Sequence, residues 1–484
     1  MSVRTIRLSL VLLVLGVSLA WPAVSLAAGP LRTAVFEPGQ ETPLVSARAR
    51  AAGATAIRVS LDWSAVAPAS RTAGFRPTDP ADVAYRWERF DPQITSAVEA
   101  GLEPILTVVG APAWAQDAQV QNEAAVKPDP AELGRFAVAV ARRYSGTFED
   151  LPRVRYWQVW NEPNISLFFR PQFVNGRPFS PGWYRRMVNE MSAAVKRVHA
   201  DNLIIAGGTA PFRDITPEVQ KVDQQWGPLD FMRELLCLSR SLERKCKQRV
   251  RFDIWSHHPY TSGGPTHHAA LPDDVSLGDL PEMRRVLDAG VDAGNIVSKK
   301  PVRFWVTEFS WDSRPSDPKG VPTRLHTRWV AESLYRMWSS GVSLVTWFLL
   351  RDQPLSTSFY QSGLYYRGST IERDRPKPAL RAFRFPVVAI PDGRRVIVWG
   401  RTPAGLRGRV VVEQSFRGGW RRLALLTTDR HGIFQRRFEI GRVGAVRARL
   451  LSTGEKSVPF GVRPVPDRFF NPFGLPTLLE PRRP

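Results

Sequence analysis

Apolar residues recur along this chain in two alternating rhythms. Short runs of β-branched and aromatic residues are followed repeatedly by longer segments whose apolar positions return every three or four residues. The first such pair is a short run at 33–36 and a helix-like segment at 43–52. A strand at 56–63 precedes a helix near 90–100, which Gly101 closes as a C-terminal cap. A third strand at 103–109 leads to a helix at 130–144. The fourth, at 155–160, leads to 180–199, where Ser180 and Pro181 supply an N-cap and a first-turn proline. Strands at 203–206, 252–256, 302–309 and 343–350 pair in the same way with helices at 229–238, 280–289, 327–339 and 378–384. Eight strand-then-helix units in succession predict an α/β fold, a closed parallel (β/α)8 barrel occupying 28–385.

After Phe385 the rhythm shortens. Alternating runs at 387–390, 395–399, 408–413, 421–426, 434–440 and 445–451 are separated by turn signals such as Asp392-Gly393, Gly418-Gly419 and His431-Gly432. They predict a small antiparallel, Ig-like β-sandwich over 386–462. Residues 463–484 are rich in proline and lack a period, which predicts an extended or disordered tail. At the other end, residues 1–27 read as a secretory leader. Arg4 and Arg7 precede an apolar stretch at 8–20, and Ser25-Leu26-Ala27 forms a small-residue cleavage site. The apolar stretch falls short of the roughly 20 residues that span a bilayer, and no later run is long enough to do so. The expected location is therefore extracellular or at the cell envelope. No cysteine follows the cleavage site to carry a lipid.

Export changes how the two cysteines read. Cys237 and Cys246 could form a disulfide in an oxidising compartment. On one straight helix they would lie about 13 Å apart, too far to bridge. Either the helix ends between them or both thiols stay free. The formal charge of +22 is uneven, because the last hundred residues carry nineteen basic against seven acidic side chains. Such an appendage suits an anionic envelope polymer. Arginine also outnumbers lysine throughout the chain, 57 to 10, so composition alone accounts for part of the excess. No nucleic-acid-binding motif accompanies the charge.

The candidate chemistry sits at two strand ends. The run Arg155-Tyr-Trp-Gln-Val-Trp breaks off in Asn161-Glu162-Pro163-Asn164, and Pro163 cannot continue a central ladder. The run Val302-Arg-Phe-Trp-Val-Thr ends at Glu308. Each glutamate alone reads equally well as an ordinary strand-end residue meeting solvent. Two carboxylates at the carboxyl ends of two barrel strands suit cleavage of a glycosidic bond, which needs an acid and a base or nucleophile.

The pentapeptide Trp160-Asn161-Glu162-Pro163-Asn164, with Thr307-Glu308-Phe309, resembles the retaining glycoside hydrolases of clan A over residues 33–385. Glycoside hydrolase family 39 and related family 5-like enzymes are closest in motif. Many family 5 members carry a histidine after strand three, whereas this chain reads Pro112-Ala113-Trp114 there, closer to family 39. The resemblance implies Glu162 as acid/base and Glu308 as nucleophile. It implies Asn161 on the sugar 2-hydroxyl, Arg58 and Tyr260 beside the nucleophile, and His258 on the sugar. It further implies Trp347 as the floor under the cleaved residue. Trp114 is a weaker candidate for a further subsite, as are Trp63 and Trp311. The substrate class implied is an oligo- or polysaccharide, and no cofactor is implied. The pairs His257-His258 and His267-His268 lack a third ligand at metal spacing, so no metal is expected. A transglycosylase, or an idle carbohydrate-binding protein on the same barrel, would share these features.

Overall fold

The computed structural model describes residues 29–38, 43–119, 125–213, 225–356, 358, 360–440 and 444–467. The expected leader, 1–27, and residues 468–484 of the expected tail lie outside them. Eight parallel strands close on one another: β1 (Arg32–Phe36), β2 (Ala56–Asp62), β3 (Glu103–Val109), β4 (Tyr156–Val159), β5 (Leu203–Thr209), β6 (Ile254–His257), β7 (Arg303–Phe309) and β8 (Val342–Phe348). Sequence neighbours are spatial neighbours, and pairing of β1 with β8 completes the ring. One interior layer shows why the strand sequences suit closure. Ala34 and Ala56, side by side on β1 and β2, are small. That leaves room for the rings of Tyr156 and Trp305, whose centroids lie 5.1 Å apart across the barrel.

The helices α1 (Pro43–Ala51), α2 (Asp91–Glu99), α3 (Pro130–Arg143), α4 (Ser180–Val198), α5 (Pro228–Leu235), α6 (Leu280–Asp292), α7 (Thr323–Ser339) and α8 (Pro378–Arg384) follow the strands. Asp129 caps α3 by accepting from the amides of Ala131 and Glu132. At α4 the expected cap is shifted by one residue. Ser180 is already helical, and its hydroxyl donates to Gln172 Oε1 at 2.6 Å instead. Helix α5 stops at Leu235, and Cys237 turns the chain with a φ of +56°. That turn brings Cys237 to Cys246 as a disulfide with a Cα–Cα distance of 5.3 Å.

Beyond α8 lie two antiparallel sheets. One contains β9 (Val387–Asp392), β10 (Arg395–Arg401) and β13 (Ile433–Phe438). The other contains β11 (Arg409–Phe416), β12 (Gly419–Thr427), β14 (Ala445–Leu450) and the short β15 (Phe460–Gly461). Their buried residues, among them Val388, Val398, Val410, Val412 and Val446, join one continuous apolar core with the barrel. Trp399 of β10 packs on Tyr335 and Trp338 of α7, at centroid distances of 5.5 and 5.4 Å. Among the described residues no helix is long and apolar enough to cross a membrane.

Candidate active site

Strand β4 delivers its chemistry through a contorted exit. Trp160 and Glu162 adopt φ values of +65° and +42°, a region that costs non-glycine residues about 1–3 kcal/mol each. The surroundings hold them there. Trp160 N donates to Val108 O at 2.9 Å, its indole to Phe168 O at 3.0 Å, and Glu162 N to Gly208 O at 2.9 Å. Gly208 must lack a side chain, since a Cβ would sit 2.6 Å from Gln158 Nε2. Asn164 ties the exit to β5, accepting from Ala210 N at 2.8 Å and donating to Ala210 O and Trp226 O. The last residue of the motif is thus a fastener, buried from solvent.

Strand β7 turns its glutamate inward against the normal alternation. The register with β8 shifts between Val306 and Phe309, so Thr307 and Glu308 both reach interior partners. His258 Nε2 meets Thr307 Oγ1 at 3.2 Å. Arg58 of β2 donates through Nη1 to Glu308 Oε2 at 2.6 Å and through Nη2 to Asn161 Oδ1 at 2.8 Å. Its Nε donates to Thr107 Oγ1 at 3.1 Å. Tyr260 donates to the other oxygen of Glu308 at 2.9 Å. His258 Nδ1 lies 2.9 Å from Glu162 Oε1 and 4.0 Å from Glu308 Oε2, so one imidazole faces both carboxylates. The His258 ring is fully buried, while the Glu162 and Glu308 side chains keep 13% and 16% of their surface exposed.

Those partners separate the two acids. Burial raises the pKa of Glu162, Glu308 adds to the rise, and His258 opposes it; the net shift is upward. Burial also pushes Glu308 upward, but His258, Arg58 and Tyr260 together outweigh it and hold this carboxyl below its ordinary value. The arrangement therefore contains one carboxyl biased to keep its proton and one biased to lose it. That is the division of labour an acid and a nucleophile require.

The aromatic residues fall differently from the sequence reading. Trp347 is fully buried; its indole donates to Ser362 O at 2.8 Å, and its ring meets Phe309, His326 and Phe383. It packs in the layer between strands and helices, away from the cleft. Its neighbour Phe348 occupies the interior side, stacked on Phe36 at 5.5 Å and edge-on to Tyr360 at 5.0 Å. Phe36 in turn lies beneath the Arg58 guanidinium, 5.1 Å from ring to cation. Tyr360 is 42% exposed, and its hydroxyl pKa is raised by burial and by both Glu308 and Glu162. Phe36, Phe348 and Tyr360 thus make the aromatic wall beside the carboxylates, and none was singled out from sequence.

Trp114 sits in a separate aromatic cluster with Trp63 and Phe75, its indole donating to Pro68 O at 2.8 Å. Trp63 and Trp311 are buried core residues. The histidine pairs divide as well. His257 is enclosed between Thr209 and Val275 O, and burial lowers its pKa to about 3. His267 and His268 face Asp467 and Asp279 respectively. Among the described residues no group of three potential ligands could hold a metal ion.

No family description and no curated protein matches this chain. Solved structures do resemble its fold. A family 39 glycoside hydrolase from Bacteroides cellulosilyticus WH2 is 17% identical, with 84% of this chain and 81% of that one covered and a TM-score of 0.50. The GH39 enzyme of Xanthomonas axonopodis pv. citri is 15% identical over 84% and 91%, with a TM-score of 0.48. A monomeric beta-xylosidase from Caulobacter crescentus CB15 is 14% identical over 85% and 95%, also at 0.48. At its identity the first of these shows a likeness of fold alone.

Proposed function

We propose that this chain is an exported glycoside hydrolase acting by double displacement, with Glu162 as acid/base and Glu308 as nucleophile. The observation that carries the reading is the pair of carboxyls pushed to opposite sides of their usual pKa while sharing His258. Contacts of 2.9 and 4.0 Å to one nitrogen hold the facing oxygens within about 7 Å. That limit accommodates the roughly 5–5.5 Å of a retaining pair. The family 39 glycosidases whose fold this chain resembles support the same class.

In this mechanism the ionised Glu308 attacks the anomeric carbon while Glu162 protonates the departing glycosidic oxygen. A glycosyl ester forms, and Glu162, now ionised, takes a proton from the water that cleaves it. Arg58 balances the charge of Glu308 and Tyr260 donates a hydrogen bond to it, and both stabilise the carboxylate again as it departs. Arg58 also sets the orientation of Asn161. A guanidinium only donates, so it holds Oδ1, and the amide nitrogen is left to donate toward a sugar 2-hydroxyl. The disulfide is consistent with export. An anionic envelope polymer as a further partner belongs to the same proposal and rests on the excess of basic side chains after Phe385.

The test is Glu162→Ala with an aryl β-glycoside whose leaving group needs no protonation. Glycosylation should survive as an initial burst, and azide should restore turnover with a glycosyl azide of retained configuration. An azide of inverted configuration would overturn the double displacement. Absence of any turnover by the wild-type protein across a panel of aryl glycosides and polysaccharides would overturn the glycosidase reading.

A further inference from the structure

The loop that follows β6 carries His258 and Tyr260 and then runs through Thr261-Ser262-Gly263-Gly264 to His267. Its far side is gripped by a residue from the other end of the chain. After β15 the polypeptide passes α7, where Arg328 donates to Gly461 O at 2.6 Å and covers the Phe460 ring at 3.9 Å. It then reaches the barrel rim. There Asp467 Oδ1 accepts from Gly264 N at 2.7 Å, and Oδ2 lies 2.6 Å from His267 Nδ1. The His267 ring is buried, and its other nitrogen meets Ser262 Oγ at 3.1 Å. Trp311 holds the same loop from within, its indole donating to Gly263 O at 2.9 Å.

The loop has little room to rearrange around this grip. A Cβ at Gly263 would fall 2.2 Å from His267 Nδ1, and one at Gly264 would press on both Asp467 and Trp329. Tyr260, only two residues before Ser262, places its hydroxyl on Glu308 at 2.9 Å.

We propose that Asp467 is a positioning residue for the reaction: by clasping Gly264 and His267 it fixes the β6 loop and, through it, the Tyr260 hydroxyl on the nucleophile. The inference rests on reading Glu308 as nucleophile. The clasp itself does not.

Two measurements test it on the full chain. The first follows the Tyr260 signal in protein labelled with 3-fluorotyrosine, identified by its loss in Tyr260→Phe. Asp467→Ala should shift or broaden that signal, whereas Asp467→Asn, whose amide oxygen still accepts from Gly264 N, should leave it near the wild-type position. An unchanged signal in a folded Asp467→Ala protein overturns the proposal. The second is kinetic, on whichever aryl glycoside the wild type hydrolyses. Asp467→Ala should lower kcat roughly tenfold with KM within twofold, the pattern of an interaction made in the transition state. Asp467→Asn should retain more than half of the activity. Asp467→Ala in a Tyr260→Phe background should cost nothing further, since residues acting through one another are not additive. A full additional loss in the double variant overturns the route through Tyr260. If the wild type cleaves no glycoside while the fluorine signal moves, the clasp stands and the glycosidase reading falls.

Discussion

Two clusters of buried charge lie at the same rim of the barrel, and they are built to opposite ends. In one, Lys377 donates to Asp352 Oδ1 at 2.6 Å, Ser313 Oγ at 2.8 Å and Gln361 O at 2.9 Å. All three ammonium hydrogens are used, and both members of the ion pair are 1% exposed. Asp352 also accepts from Gly363 N, and neighbouring Asp312 accepts from Gln361 N. In the other, the Glu162 and Glu308 side chains keep 13% and 16% of their surface exposed. Closed charge fixes the loops after β7 and β8; open charge is available to a substrate. Perturbed acids alone do not distinguish the two, because burial pushes Asp312 up to about 7 in the sealed cluster.

The comparison breaks most decisively at Glu308. Glu308→Gln should reduce hydrolysis of every substrate by roughly four orders of magnitude or more while the protein stays folded, because the proposed mechanism offers no other group to form the ester. Circular dichroism with reducing-end release checks both halves, and near-normal turnover in the folded variant would remove Glu308 from the mechanism. Next in size is Lys377→Ala. Stranding Asp352 in the interior should cost about 3–5 kcal/mol of stability, read by urea unfolding. A loss below 1 kcal/mol would show that the sealed cluster is not structural.

The smallest effect sharpens the open cluster. His258 lowers the pKa of both glutamates. The proposed mechanism requires Glu308 ionised and Glu162 protonated, so on that reading the acid limb of the pH profile follows Glu308 and the alkaline limb follows Glu162. Removing His258 in His258→Ala should therefore move both limbs to higher pH. A shift in one limb alone would mean that the imidazole serves only one carboxyl.

The barrel was legible because its signals are local and repeated. Each strand is a short apolar run, each helix a periodic one, and the two catalytic candidates end strands at a Pro163 break and at Thr307-Glu308-Phe309. Failures came where one position decides the direction of a side chain. Trp347 and Phe348 are adjacent on β8, so alternation sends one to the helices and the other to the cleft, and the larger ring drew the assignment. Glu308 points inward only because of a register shift that no residue type announces. The clasp of His267 by Asp467 spans 200 positions and leaves no local trace. Ser180 shows the limit for caps: a good capping residue was present, but Gln172 claimed its hydroxyl.

The fork of Arg58 has a consequence for how the molecule comes into being. Its two terminal nitrogens are satisfied by residues 103 and 250 positions later in the chain. During synthesis the guanidinium emerges long before either partner, and a partial barrel that enclosed it would bury a bare cation at a cost of several kcal/mol. Half-made barrels are thereby denied a comfortable resting state, and the ring has reason to shut only when β7 has arrived. The Arg58 fork is therefore complete only once β7 has joined the ring, so closure of the barrel and formation of the Glu308 site coincide.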